Sequence, residues 1–178
     1  YSVCDVLNIN QVEELSKELS ETEVSGIAYC IGSIDLKPFQ QTEAKDFISS
    51  FALNLVSATD ILKMFEKSLK RNKGSVVFFS TIDARKGFNN HSIISASKSA
   101  LEGLSVALAA EFAPNIRINC IAPSLTDSKI SNFLIKNEKT KEMISKLHPL
   151  KRIGQGSDSA SLAKFLLSDE SSWITGQI

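Results

Sequence analysis

Lys98 stands almost alone as a charge in HSIISASKSALEGLSVALAAEF (91–112), a stretch otherwise built from small and apolar residues. Leu101, Leu104, Leu108 and Phe112 recur at steps of three and four and mark one face of a helix. Ala100, Gly103, Ala107 and Ala110 form a small-residue stripe beside it, and a helix apolar on two faces is buried on both. Lys98 falls in the first turns, where a cation opposes the helix dipole. The plainest reading is a solvated lysine paired with Glu102 one turn on, a contact of about 0.3–0.5 kcal/mol. His91 lies three residues before Ile94 and can share its face. Its reference pKa of about 6.5 suits proton transfer. The alternative is a helix-start histidine bonded to backbone or water.

The chain lacks the residues for several other chemistries. It contains no HExxH, no CxxC, no GxSxG and no carboxylate pair suited to glycoside hydrolysis. His91 and His148 are its only histidines, too few for a metal cluster. Twenty basic residues balance twenty acidic ones without a basic run or stripe, so neither nucleic acid nor a membrane surface is expected as a partner. Cys4, Cys30 and Cys120 lie far apart within apolar runs, the pattern of reduced core thiols in a cytoplasmic protein. No uninterrupted apolar run of about 18 residues is present, so no membrane span is expected, and no signal peptide is visible. The 178 residues open on Tyr1 and stop on Ile178 inside an apolar segment, as a fragment would.

The elements that must position Lys98 are legible as alternating patterns. GIAYCIG (26–32), SVVFFST (75–81) and IRINCIAP (116–123) are too short for helices and rich in branched and aromatic residues. They read as strands of a parallel sheet covered on both faces. YSVCDV at the amino end is a fourth candidate. Asn10 and Glu13 form a capping-box signature before Val12, Leu15 and Leu19. Phe47, Phe51, Leu55, Ala58, Leu62, Phe65 and Leu69 predict a long second helix. A polar stretch after Pro123 is expected to be a loop with a short helix over the site. Ser157–Ser168 predicts a last helix and SSWITGQI a further strand. The alternation implies an α/β, Rossmann-like, doubly wound parallel sheet forming one domain over 1–178. In such sheets ligands bind beyond the carboxyl ends of the strands, here near Asp5, Gly32, Thr81 and Pro123.

The stretch ISASKSALEGLSVALAAEFAPNIRINCIAPS resembles the short-chain dehydrogenase/reductase signature YxxxK followed by the strand R-x-N-x-I-x-P. Asp5-Val6 resembles the acidic pair after that family's third strand. YCIG (29–32) takes the place of NNAG, keeping only Gly32. Asn54 falls in the long helix where the family keeps an asparagine. HPLKRIG (148–154) and LLSDESSWITGQI (166–178) resemble its carboxyl-terminal pattern. The nearest-looking subgroup is that of the 3-oxoacyl-carrier-protein reductases. Three departures stand out. No TGxxxGxG turn is present, so the domain is expected to run from the third strand to the start of the last, without the first two strands. Ile94 stands where the tyrosine acid should be. Thr81 replaces the serine thirteen residues earlier.

The resemblance implies hydride transfer between NAD or NADP and a small-molecule carbonyl or secondary alcohol. By it, Lys98 anchors the nicotinamide ribose, Thr81 binds the substrate oxygen and Asn54 orders a relay water. Asp5 and Val6 meet the adenine, and Cys30, Ile31 and Gly32 line the adenosine ribose. Pro123 and Ser128 approach the nicotinamide carboxamide. His91 is the candidate to supply the proton in place of the tyrosine. A homodimer or homotetramer through the two long helices is expected. The alternative is a catalytically inactive relative that binds nucleotide or forms oligomers.

Overall fold

A computed structural model describes residues 1–178. The three short apolar runs become strands β1 (Gly26–Tyr29), β2 (Ser75–Phe79) and β3 (Arg117–Ile121), all parallel, in the order β1-β2-β3. Parallel neighbours need long crossovers, and here both are helical. The first contains α2 (Ala44–Phe51) and α3 (Ser57–Arg71), joined by a π-helical turn over Ala52–Val56. The second contains α4 (Ser92–Phe112). Each strand ends before its apolar run does. The last residues of each run, at 30–32, 80–81 and 122–123, become the loops at the sheet's carboxyl edge.

The sheet is covered on both faces, as its continuous apolar pattern requires. On one face Leu62 and Leu69 of α3 and Leu101 and Ala109 of α4 pack with Val76, Phe78 and Ile118. On the other, Ala163 and Leu166 of the last helix pack on Val77 and Ile121. That last helix runs Gly156–Leu167, one residue earlier at each end than the sequence pattern predicts. The helical stretches Ala44–Arg71 and Ser92–Phe112 are long and apolar enough to cross a membrane by length and composition. Part of their apolar surface, including Leu62, Leu69, Leu101 and Ala109, packs into the sheet-facing core, while Ile48, Val56 and Val106 stay exposed.

Several sequence expectations are corrected. The first helix, α1, runs Ile9–Glu18 and is capped by Asn8, whose side chain accepts from the Asn10 and Gln11 amides. Asn10 therefore lies inside the helix. YSVCDV forms no strand: no strand lies beside it within the chain, and an extended segment without a ladder leaves its polar groups to water. SSWITGQI forms a short 3₁₀ turn and then an extended tail, and is not itself a strand. Yet Gly176 donates to the Ile118 carbonyl at 2.7 Å and Gln177 accepts from the Cys120 amide at 2.8 Å, so the tail runs beside β3. Of the cysteines only Cys120 is buried, Cys30 is exposed and Cys4 is intermediate. The stretch after Pro123 is more ordered than a bare loop. Thr126–Asp127 (β4) pairs in parallel with Gly154–Gln155 (β5), closing an excursion that carries helix α5 (Glu138–Leu147).

Arg117, at the start of β3, ties the carboxyl-terminal turns to the sheet. Its guanidinium donates to the carbonyls of Leu166, Ser168 and Ser171 at 2.9–3.0 Å. Burial pulls its pKa below the usual arginine value. Hydrogen bonds to a charged donor are worth about 1.5–3 kcal/mol each, and the three carbonyls would lose their partner together. Arg117→Ala is therefore expected to destabilise the chain by about 2–4 kcal/mol in urea unfolding. It should also speed amide exchange in residues 168–177 while leaving α4 protected.

Candidate active site

Helix α4 carries Lys98 beneath the end of β2. The residue is only 8% exposed, and its Nζ donates to the Phe79 carbonyl at 2.8 Å. Burial lowers its pKa to about 8. The neighbouring Cys120 thiol is itself pushed up to about 11, chiefly by burial and then by the Glu102 carboxylate. The Lys98–Glu102 pairing expected of a surface lysine does not form. Glu102 is turned inward, accepting from the Ser80 hydroxyl at 2.7 Å and from Arg85 Nε at 2.9 Å. Lys98 is thus free of any carboxylate, with one carbonyl for its three donors.

Asn54 comes to the same place from the other crossover. It is fully buried in the π-helical turn, a distortion that often marks functional positions. Its Nδ2 donates to the Ser50 carbonyl at 3.0 Å, and its Oδ1 accepts from the Ser33 amide at 3.4 Å. Gly32 closes the gap between the two. A Cβ at Gly32 would lie 2.6 Å from Asn54 Oδ1 and 3.1 Å from Lys98 Nζ, so a side chain here would push the polar ends of Asn54 and Lys98 aside. Ser50 donates to the Ser97 hydroxyl at 3.0 Å, and Ser97 donates to the Ile94 carbonyl at 3.1 Å. These bonds lock α2 onto α4 beside the site.

Thr81 and His91 stand at the two ends of the β2–α4 connection. Thr81 Oγ1 accepts the Asp83 amide at 3.3 Å, capping a 3₁₀ turn over Ile82–Ala84. His91 precedes α4. Its Nδ1 lies 2.6 Å from the Asn89 carbonyl and so carries the proton, and its Nε2 is 3.7 Å from an Asp83 carboxylate oxygen. Both ring nitrogens therefore face groups of that connection. Ile94 is 2% exposed and has no proton to give. A cleft of about 540 Å³ is lined by Ile93, the chain neighbour of Ile94, with Ile34, Leu36, Lys37, Asp46 and Phe133 among others, and by none of Ile94, Asn54, Thr81 or Lys98. That volume suits a small ligand.

The structure brings Gly32, Asn54 and Lys98 together, with Thr81 two residues beyond the carbonyl that holds Lys98. Pro123 joins them at the sheet edge, its carbonyl accepting the Ile82 amide at 3.1 Å. Cys30 and Ile31 are exposed at the end of β1. The remaining expected contacts are held in local turns. Asp5 accepts the Leu7 amide at 3.0 Å and is exposed, with Val6 half-buried beside it. Ser128 is engaged with Ser131. Sequence reasoning missed Ser50, Ser97, Glu102 with Arg85, and the pair Ser124–His148. Their partners lie 17 to 47 residues apart, and no spacing rule links them.

These layers define a Rossmann-like α/β domain, and comparison bears that out. The ligand-free aldohexose dehydrogenase of Thermoplasma acidophilum superposes with a TM-score of 0.92 at 25% identity, over 99% of this chain and 74% of that one. A short-chain dehydrogenase/reductase from Mycobacterium ulcerans gives 0.90 at 26%, over 99% and 66%. The family pattern described as Enoyl-(Acyl carrier protein) reductase matches residues 1–178. A tropinone reductase homolog of Arabidopsis thaliana is 32% identical over 181 residues, covering 99% of this chain and 67% of the relative. The chain belongs to the short-chain dehydrogenase/reductase family. It spans about two thirds of the length of these relatives.

The buried ammonium makes stability depend on pH in a definite direction. Lys98 titrates near 8 when folded against 10.5 as its ordinary value, so between those values the unfolded chain holds more protons. The contribution of Lys98 to stability therefore rises with pH across that window, while Cys120, raised from 9 to about 11, contributes with the opposite sign above about pH 9. The gap corresponds to roughly 3 kcal/mol as a ceiling, at about 1.36 kcal/mol per pH unit. Urea unfolding should show this rise between about pH 8 and 9 in the parent, before the raised Cys120 thiol opposes it, and Lys98→Met should abolish it.

Proposed function

We propose that this chain is the greater part of an NAD(P)-dependent oxidoreductase acting on a small-molecule carbonyl or secondary alcohol. One observation carries the reading: a buried ammonium with a single carbonyl acceptor, set under Gly32 and beside Asn54 at the carboxyl edge of a parallel sheet. That is where such sheets bind nucleotides. The residues present suit the nicotinamide half of a dinucleotide. Lys98 has two donors left for ribose hydroxyls, and Gly32 leaves room for a close approach. When bound, the dinucleotide supplies or accepts the hydride. Thr81 offers a hydroxyl to the substrate oxygen, and Asn54 fixes the polar floor beneath it. Cys30 and Ile31 lie on the adenosine side, Pro123 on the carboxamide side. In the gluconate 5-dehydrogenase of Burkholderia cenocepacia, a structure sharing the fold at TM-score 0.90, NADP is bound.

Ile94 favours a second reading, a relative that binds nucleotide without reducing carbonyls. A positioned acid contributes about 10²–10⁴-fold, and an isoleucine contributes none of it. His91 supplies that proton only if its ring leaves Asn89 and Asp83. The experiment that separates the readings uses the natural full-length chain, assayed for NADH and NADPH oxidation across a panel of ketones and aldehydes. Turnover supports the enzyme, and its absence with dinucleotide still bound supports the binding protein. In the active case Ile94→Tyr should raise kcat by about 10²–10⁴-fold. The ammonium one turn on would lower the phenol's pKa. Lys98→Ala should cancel that gain.

The same reading makes the chain an oligomer through its long helices. Gly103, Val106, Ala107 and Ala110 of α4 are exposed in a row, an apolar surface the core does not use. A Cβ added at Gly103 meets nothing within 4 Å, so Gly103→Leu is expected to leave the isolated fold intact. It should weaken self-association by about 1–3 kcal/mol through overpacking. Sedimentation equilibrium of parent and variant checks it, with unfolding midpoints unchanged.

A further inference from the structure

The excursion between β3 and the last helix holds a second arrangement of reactive groups, one that does not include Lys98. Ser124 follows Pro123 at the end of β3, and His148 ends α5. Ser124 Oγ lies 2.8 Å from His148 Nε2, and His148 Nδ1 lies 2.9 Å from the Ile144 carbonyl. A carbonyl can only accept, so the neutral ring carries its proton on Nδ1 and leaves Nε2 bare. The Ser124 hydroxyl must then donate to Nε2. This is a nucleophile, a base and a group that orients the base, all within hydrogen-bond distance.

The support is built rather than incidental. The Ser124 carbonyl accepts from Thr126 Oγ1 at 3.0 Å, and the Leu125 carbonyl accepts the Gly154 amide at 2.9 Å, which leads into the β4–β5 pair. The Leu125 amide, next after the serine, donates to no group in the chain. Leu147 and Leu150, either side of His148, are 83% and 79% exposed, which gives the site an apolar border.

We infer that Ser124 and His148 form an acyl-transfer site for esters or thioesters of apolar carboxylic acids. Ser124 Oγ attacks the acyl carbon as its proton passes to His148 Nε2. The bond from the acyl carbon to the leaving oxygen or sulfur breaks, and the leaving group takes that proton. Water, deprotonated by Nε2, then attacks the acyl carbon, its bond to Ser124 Oγ breaks, and Nε2 returns the proton to Oγ as the acid leaves. No electrons are transferred, and the step stands or falls apart from the dehydrogenase reading.

The test uses p-nitrophenyl acetate and p-nitrophenyl butyrate with the natural full-length chain, following nitrophenolate release and mapping the acylated peptide by mass spectrometry. A burst with the acyl group on Ser124 is expected, faster with butyrate. Ser124→Ala should abolish it, and His148→Gln should slow it by about 10²-fold or more. Thermal melting of each variant reports its folding. Should Ser124→Ala fold poorly, Ser124→Cys serves instead. Its introduced thiol should react with iodoacetamide at least about tenfold faster than the exposed Cys30, since a neighbouring imidazole raises the thiolate fraction. Acylation only at lysines or cysteines, or equal rates in the parent and His148→Gln, would overturn the inference.

Discussion

The bond from the Lys98 ammonium to the Phe79 carbonyl is the constraint around which the sheet's carboxyl edge is arranged. A buried cation with no carboxylate partner is costly, and the chain tolerates it only because surrounding groups are fixed. Glu102, the obvious counterion, is held by Ser80 and Arg85. Cys120 beside Lys98 is kept a thiol by burial. The ammonium therefore keeps donors to spare, pointed at an edge where a ligand can use them. A surface ion pair would have spent them at little gain.

The same economy explains the polar side chains buried nearby. Asn54, Ser50 and Ser97 are nearly inaccessible, and each is hydrogen-bonded, as burial demands. The links join α2, the π-helical turn and α4, which meet only at this end. Asn54 bonds a carbonyl one turn back in its own helix and still lies against the Gly32 backbone beside Lys98. Thr81 is likewise a turn cap that also stands at the edge. Ile94 is the exception. It fills its place by packing, and the chemistry its family position would supply has to come from elsewhere or be absent.

The excursion after β3 follows different physics. Its helix α5 buries no residue completely. Polar clips hold it: the Ser128–Ser131 turn, Lys141 on Asp127 at 3.2 Å, and His148 on Ser124. Segments held by a few polar contacts open more easily than those held by a core. The carboxyl edge of the sheet is thus held by the core on the side of β1 and β2 and by polar clips on the side of α5.

The strands, the long helices and the order of the family motifs were determined by the sequence alone, because period and residue type are local properties that survive without a fold. Lys98, Asn54, Thr81 and Gly32 could be named as a group from the resemblance their spacing carries. Only the tertiary structure decided what each of them touches. Local pattern paired Lys98 with Glu102 one turn away; packing turned both inward and gave each a partner on the β2 edge. Asn10 looked like a cap, yet Asn8 held the geometry. YSVCDV had the residues of a strand, but a strand exists only where a neighbour completes its ladder. His148 and Ser124 meet across 24 residues. Such pairs arise from how the chain closes on itself, and hydrogen-bond partners, unlike periodicity, leave no trace in the order of residues.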